Sequence, residues 1–114
     1  MNLNSDPELR TTRGRLEARS AELRDRVRRV RLDLARAHQP LPRDSADAAI
    51  AVENDEILEA IEESALGELE RIERALGRID AGRFAVCEIC GAHISAARHD
   101  AVPYATQCEH CSAR

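Results

Sequence analysis

Residues 87–111 read Cys87-Glu88-Ile89-Cys90-Gly91-Ala92-His93-Ile94-Ser95-Ala96-Ala97-Arg98-His99-Asp100-Ala101-Val102-Pro103-Tyr104-Ala105-Thr106-Gln107-Cys108-Glu109-His110-Cys111. Two Cys-x2-Cys pairs stand seventeen residues apart, the spacing of a four-cysteine zinc site. Each pair can wrap a knuckle that turns both thiolates toward one metal. Gly91 follows Cys90 at a point where such a knuckle often needs a backbone without Cβ. Four thiolates complete a tetrahedron and leave no position for water, so one structural Zn2+ is expected on Cys87, Cys90, Cys108 and Cys111. Two disulfides are disfavoured in a reducing compartment. A thioredoxin-like redox pair needs a βαβ setting that this sequence lacks. An iron–sulfur cluster has less support from the spacing but stays an alternative. So does a mixed site drawing on His93, His99 or His110, although surface or outlying positions suit those residues better. A module of about 30 residues cannot fold on apolar burial alone, whereas structural zinc contributes about 10–16 kcal/mol of apparent binding free energy. Phe84, Ile89, Ile94 and Tyr104 are the expected small core around the metal.

Upstream of this module, charge is segregated. Residues 1–43 carry 11 Arg and 6 acids, residues 44–80 carry 3 Arg and 12 acids, and residues 81–114 carry 3 of each. Oppositely charged neighbours predict two helices folded back on each other. The apolar spacing agrees. Leu9, Leu16, Leu23 and Val30 recur every seven residues, and Val27 and Leu34 add the second seam position. Arg13 and Ser20 hold the matching earlier positions, which leaves the N-terminal half of that seam poor. In the second segment Ile50, Ile57, Leu58, Ile61, Ala65, Leu69, Ile72, Leu76 and Ile79 step mostly by three and four. Asn54 falls on the same stripe, as a polar seam residue that fixes register.

Gln39-Pro40-Leu41-Pro42-Arg43-Asp44-Ser45 breaks the two segments, because closely spaced prolines end a helix. Asp44 or Ser45 can cap the next helix. Gly82 is a natural stop for it. Gly67 and Gly77 lie within the second helix at a cost of about 1 kcal/mol each, and close helix approach is one reading of them. The expected architecture is mainly α: an arm over residues 1–8, a long antiparallel coiled-coil helical hairpin over 9–82 with its tip near 39–47, and a small four-cysteine zinc-finger module over 83–114.

Composition excludes other classes. The 114 residues include one Tyr, one Phe and no Trp, with 33% charged residues and only Arg among the basic ones. That supply of large side chains disfavours a β-sandwich, a Rossmann domain or a deep apolar pocket. No nucleophile–base set, phosphate loop or open metal site is visible, so an enzyme is not expected. A net charge of −4 does not suit a protein that coats nucleic acid or an anionic membrane. No stretch is long and apolar enough to span a membrane, and the first residues lack a secretory signal, so the expected compartment is the cytoplasm. His38 at the end of the first helix suits the negative helix terminus.

Finger, hairpin and turn together resemble the DksA/TraR family of bacterial transcription regulators. The resemblance rests on Cys87-Glu88-Ile89-Cys90-Gly91-Ala92-His93-Ile94, Ala97-Arg98, Pro103-Tyr104-Ala105-Thr106 and Cys108-Glu109-His110-Cys111, together with Asp44-Ser45-Ala46-Asp47-Ala48-Ala49, which matches the family's D-x-x-D-x-A tip motif. It implies a protein that binds RNA polymerase rather than DNA and enters the secondary channel with an acidic coiled-coil tip, here Asp44, Asp47 and Ala49. Longer members carry a further C-terminal helix, whereas this chain stops three residues after Cys111. They also bind guanosine tetraphosphate through three basic residues. The matching positions here are Arg71, Val102 and Ser112, so the nucleotide is expected to contribute little, with Arg71 as a residual contact.

Two other classes compete with a polymerase-binding regulator. One is a nucleic-acid-binding protein that uses the finger and the basic helix with Arg24, Arg26, Arg28, Arg29 and Arg31. Against it, the finger is charge-neutral and almost free of stacking aromatics, so no direct sequence-specific DNA binding is expected. The other is a coiled-coil adaptor that pairs between chains. The short Pro-Leu-Pro break favours an intramolecular hairpin and a monomer.

Overall fold

The computed structural model describes residues 7–37 and 45–113. The prolines of the break and Asp44 lie outside the described residues, as does most of the N-terminal arm. Four helices make up the described chain: α1 Pro7–Ala37, α2 Ser45–Asp80, α3 Ala96–Ala101 and α4 Glu109–Ser112. Pro7 opens α1 in the first turn, where its missing N–H costs nothing. Among the described residues the one β feature is an isolated antiparallel bridge between Val86 and His93.

The chain divides into two compact units. One runs from Ala21 to Leu69. There α1 contributes buried Leu23, Val27 and Val30, and α2 contributes Ala65 and Leu69. Arg31 Nε–H donates to Glu62 Oε2 at 2.8 Å across the helix pair, which joins the basic helix to the acidic one. Such an exposed pair adds about 0.2–1 kcal/mol, so apolar burial carries this unit. The first turns of α2 depart from the expected stripe. Ile50, Ile57 and Ile61 are 55%, 58% and 38% exposed, and Asn54 is exposed too. Asn54 therefore does not fix register in the seam. The seam runs through the neighbouring face, with half-buried Ala48, Ala51, Asp55, Leu58 and Glu62 leading to Ala65 and Leu69. Two apolar rows coexist in this sequence, and a one-dimensional periodicity merged them.

The other unit holds the remaining described residues, up to Ser20 and from Glu70 onward. Leu16 and Ser20 of α1 are buried, as are Ile72, Ala75 and Ile79 of α2. Ser20 is thus enclosed in the seam although it is polar. Arg13 spans the pair to Asp80 and also reaches Glu17 at 3.7 Å. A Cβ built on Gly77 meets nothing within 4 Å, so close helix approach does not account for that glycine.

α2 stops where Gly82 was expected to stop it. Gly82 has φ 71°, and its N–H donates to Ile79 O at 3.1 Å while Arg83 N–H donates to Arg78 O at 2.8 Å. These are the two bonds of a Schellman cap, which needs a left-handed residue at that point. The chain then enters the finger, whose core is Phe84, Cys87, Ile94 and Ala105. Tyr104 is half-buried. Ile89, expected in that core, is 65% exposed, because it sits at the crest of the first knuckle.

Candidate metal centre

The four cysteines come from two knuckles. In the first, Cys87 N–H donates to Ala92 O at 2.8 Å and Gly91 N–H returns to Cys87 O at 3.0 Å. Gly91 has φ 75°, a left-handed conformation that side chains with a Cβ rarely adopt. In the second, Cys108 precedes α4, and Ser112 N–H donates to Cys108 O at 3.0 Å. Glu88 N–H donates to Thr106 O at 2.9 Å, and Thr106 Oγ1–H donates to Glu88 Oε1 at 2.9 Å, so the knuckles are tied to each other twice.

All four sulfur atoms lie within 4.8 Å of one another. Cys90 and Cys108 Sγ are 3.7 Å apart. A disulfide would need about 2.05 Å. A tetrahedron with Zn–S bonds of about 2.3 Å has edges of about 3.8 Å. The spacing therefore fits one four-coordinate ion and not a covalent pair, and the cysteines are free thiols.

Electrostatics point the same way. Hydrogen bonds from the backbone of Cys90, then of Cys108, hold the Cys87 thiol down to about 6, against the opposing effect of burial. Burial pushes the Cys111 thiol up to about 12, helped by hydrogen bonding with Cys90 and Cys108. Four sulfurs this close cannot all shed their protons without a cation between them. A divalent ion deprotonates them outright and removes the repulsion. Cys87, Cys90, Cys108 and Cys111 thus fit one structural Zn2+, which would supply a cross-link between the knuckles.

The histidines are not part of this cluster. His99 stacks on Phe84 with ring centroids 4.0 Å apart and planes 14° from parallel. Its Nε2–H donates to Ala105 O at 3.1 Å, and burial lowers its pKa, so it serves the core as a neutral ring. His93 and His110 are exposed. Among the described residues, the four cysteines form the one group with metal-binding geometry.

The spacing of the cysteines did not show how α2 grips the finger. Arg74 pairs with Glu88 Oε2 at 2.7 Å. Arg78 donates to the carbonyls of Arg83, at 3.0 Å, and of Val86. Arg71 sets its guanidinium 5.7 Å from the Tyr104 ring centroid, within cation–π range. The three arginines recur at steps of three and four on α2, a helical-face signal that could have been read as a docking ridge. α3 is held by Ser95, whose Oγ accepts from Arg98 N–H at 3.1 Å. At the far end of α2, Asp47 lies exposed in the first turn, where an acid complements the helix dipole, and Ala49 is exposed beside it.

Comparison with known proteins bears on both parts of the chain. Residues 13–79 match the family model described as DnaK suppressor protein-like, N-terminal domain. Residues 82–114 match the prokaryotic dksA/traR C4-type zinc finger. An uncharacterized protein of Aquifex aeolicus (strain VF5) is 31% identical over 71 residues, which are 62% of this chain and 49% of that protein. The chain thus spans about half the length of that curated relative. The solved structure of transcription factor DksA2 from Pseudomonas aeruginosa is similar, with a TM-score of 0.82 and 25% sequence identity, over 96% of this chain and 84% of that one.

Proposed function

This chain belongs to the DksA/TraR family, and from that premise we propose that it is a transcription regulator that binds RNA polymerase directly and modulates initiation. Family membership and the likeness to a transcription factor support a transcription-factor-type role. The observation that carries the reading is the acidic start of α2 in a chain whose helices and finger both match the family. Asp47 and Ala49 are exposed there; together with Asp44, which lies outside the described residues, they are the residues proposed to enter the secondary channel.

The physical logic is one of delivery. A carboxylate at the end of a stiff helix pair can be carried into a narrow channel and held beside a catalytic centre. It perturbs charged groups there without doing chemistry, so this protein is a regulator and not an enzyme. The finger contributes a zinc-stapled module that follows α2 in the chain. Guanosine tetraphosphate has a minor role, because Arg71 is engaged with Tyr104 and two of the three basic positions are Val102 and Ser112. Among the described residues no helix is long and apolar enough to cross a membrane. DNA is not the target. Arg28 and Arg29 pair with Asp25, and Arg31 with Glu62, which reduces the field a phosphate backbone would meet.

The test compares capture of purified RNA polymerase with a DNA gel shift at physiological salt. Polymerase capture without a DNA shift is expected. A DNA shift without polymerase capture would transfer the function to the nucleic-acid class.

A further inference from the structure

Two arginines are tied to the cysteine knuckles, and neither has an acid to balance it. Arg78 donates from Nη2 to the carbonyl of Val86, the residue before Cys87. Arg98 donates from Nε to the carbonyl of Gln107, the residue before Cys108, at 3.4 Å. Each knuckle thus has one guanidinium fixed to the peptide that leads into its first cysteine. Both arginines are half-buried. Neither forms an ion pair among the described residues, whereas Arg74 nearby pairs with Glu88.

Arg78 Nε is buried and has no hydrogen-bond partner. Arg78 also lines a cleft of about 570 Å3 together with Cys87 itself, Arg83 and Glu88. Glu88 does not serve as its counter-charge there, because Arg74 holds one of its oxygens at 2.7 Å and Thr106 the other at 2.9 Å. A cation drawn partly out of water is costly unless a negative group offsets it. The donor set supplies that group. Four thiolates on one divalent ion leave about two negative charges spread over the sulfurs. Two arginines, one at each knuckle, match that charge.

We propose that Arg78 and Arg98 are the counter-charges of the metal-loaded cysteine cluster and set how tightly this chain holds its metal. They are not ligands; each acts through the thiolates of the knuckle it is tied to. Arg83 lines the same cleft but is exposed, so water screens its charge.

The experiment measures Zn2+ affinity of the full chain by competition with a chromogenic chelator. It also records the thiolate-to-metal charge-transfer band after Co2+ substitution. Arg78→Gln, Arg98→Gln, Arg78→Lys, Arg98→Lys and Arg83→Gln are compared with wild type. Each Gln variant is expected to weaken Zn2+ binding about 10–100-fold, the range for groups that act through metal ligands. Each Lys variant keeps the charge without the planar fork, so it should recover most of that loss. Arg83→Gln should stay within about twofold of wild type. The Co2+ band should move to longer wavelength in the Gln variants, because losing a cation raises the sulfur lone pairs in energy. It should hold its place in the Lys variants. Unchanged affinity in either Gln variant would overturn the assignment of one arginine to each knuckle. Equal losses in the Gln and Lys variants, with the band unmoved, would overturn the charge role and leave both arginines as mere ties to two carbonyls. An equal loss in Arg83→Gln would overturn it too, in favour of a diffuse field. Should a Gln variant fail to form the metal-bound finger, its Lys counterpart decides: recovery supports the charge role, and failure of both overturns it.

Discussion

Removing the metal should unfold one part of this protein and spare the other. Among the described residues the finger buries Phe84, Ile94, Ala105 and Cys87, too little to hold about 30 residues. Zinc contributes on the order of 10–16 kcal/mol to such a module, so the metal-free finger is unfolded. α1 and α2 have their own apolar contacts, with Leu16, Leu23, Val27 and Val30 on one helix and Ala65, Leu69, Ile72 and Ile79 on the other. They hold 31 and 36 residues, against six and four in α3 and α4. Chelation should therefore cost about one-eighth of the ellipticity at 222 nm, plus slight fraying near Arg74 and Arg78 as their finger partners leave. Tyr104 is the one Tyr in a chain without Trp, so its emission reports the finger directly. It should change with the loss of the Arg71 guanidinium and recover on stoichiometric Zn2+ addition. A chelator titration followed by both signals makes the test. Loss of half the helical signal with the metal would refute the division. So would unchanged Tyr104 emission after complete metal removal.

Ile72→Ala, at a fully buried seam position, should cost about 2–5 kcal/mol in urea melts, whereas Ile57→Ala on the exposed row should stay within about 0.5 kcal/mol. Gly77→Ala should stabilise by about 0.4–1 kcal/mol, since a Cβ there meets open space. Gly91→Ala should instead cost about 1–2 kcal/mol, because its φ of 75° is left-handed. His99 has a folded-state pKa below its ordinary value of 6.5, so the unfolded chain binds its proton more readily. The stability tied to its neutral ring is present above pH 6.5 and is lost as pH falls below it, down through the folded-state pKa. His99→Phe should flatten that part of the stability–pH curve, measured by urea melts at fixed free zinc.

Much of this fold was legible in one dimension because its strongest signals are local. The cysteine spacing specified a cluster, and Gly82 and Gly91 marked the two left-handed turns. What failed was sorting residues among faces. Ile50, Asn54 and Ile57 keep helical spacing with the seam residues, yet the seam turns away from them through Leu58 and Ala65. Spacing tells which residues share a helix face, and only the partner helix decides which face is covered. Ile89 misled for a similar reason: an apolar residue between two metal ligands is carried outward when the sulfurs turn in. The stack of His99 on Phe84 joins residues fifteen apart and has no local pattern to announce it, whereas the spacing of Arg71, Arg74 and Arg78 marked a shared face of α2 without naming the finger groups it grips.

The proposed role of Asp47 as a polymerase-modulating tip is tested most directly by Asp47→Asn, assayed for RNA polymerase binding and for multi-round transcription in the same preparation. The substitution removes one exposed charge from the first turn of α2, and circular dichroism checks that the helix content is kept. Retained binding with loss of the transcriptional effect is the expected result; an unchanged effect at equal occupancy would contradict it.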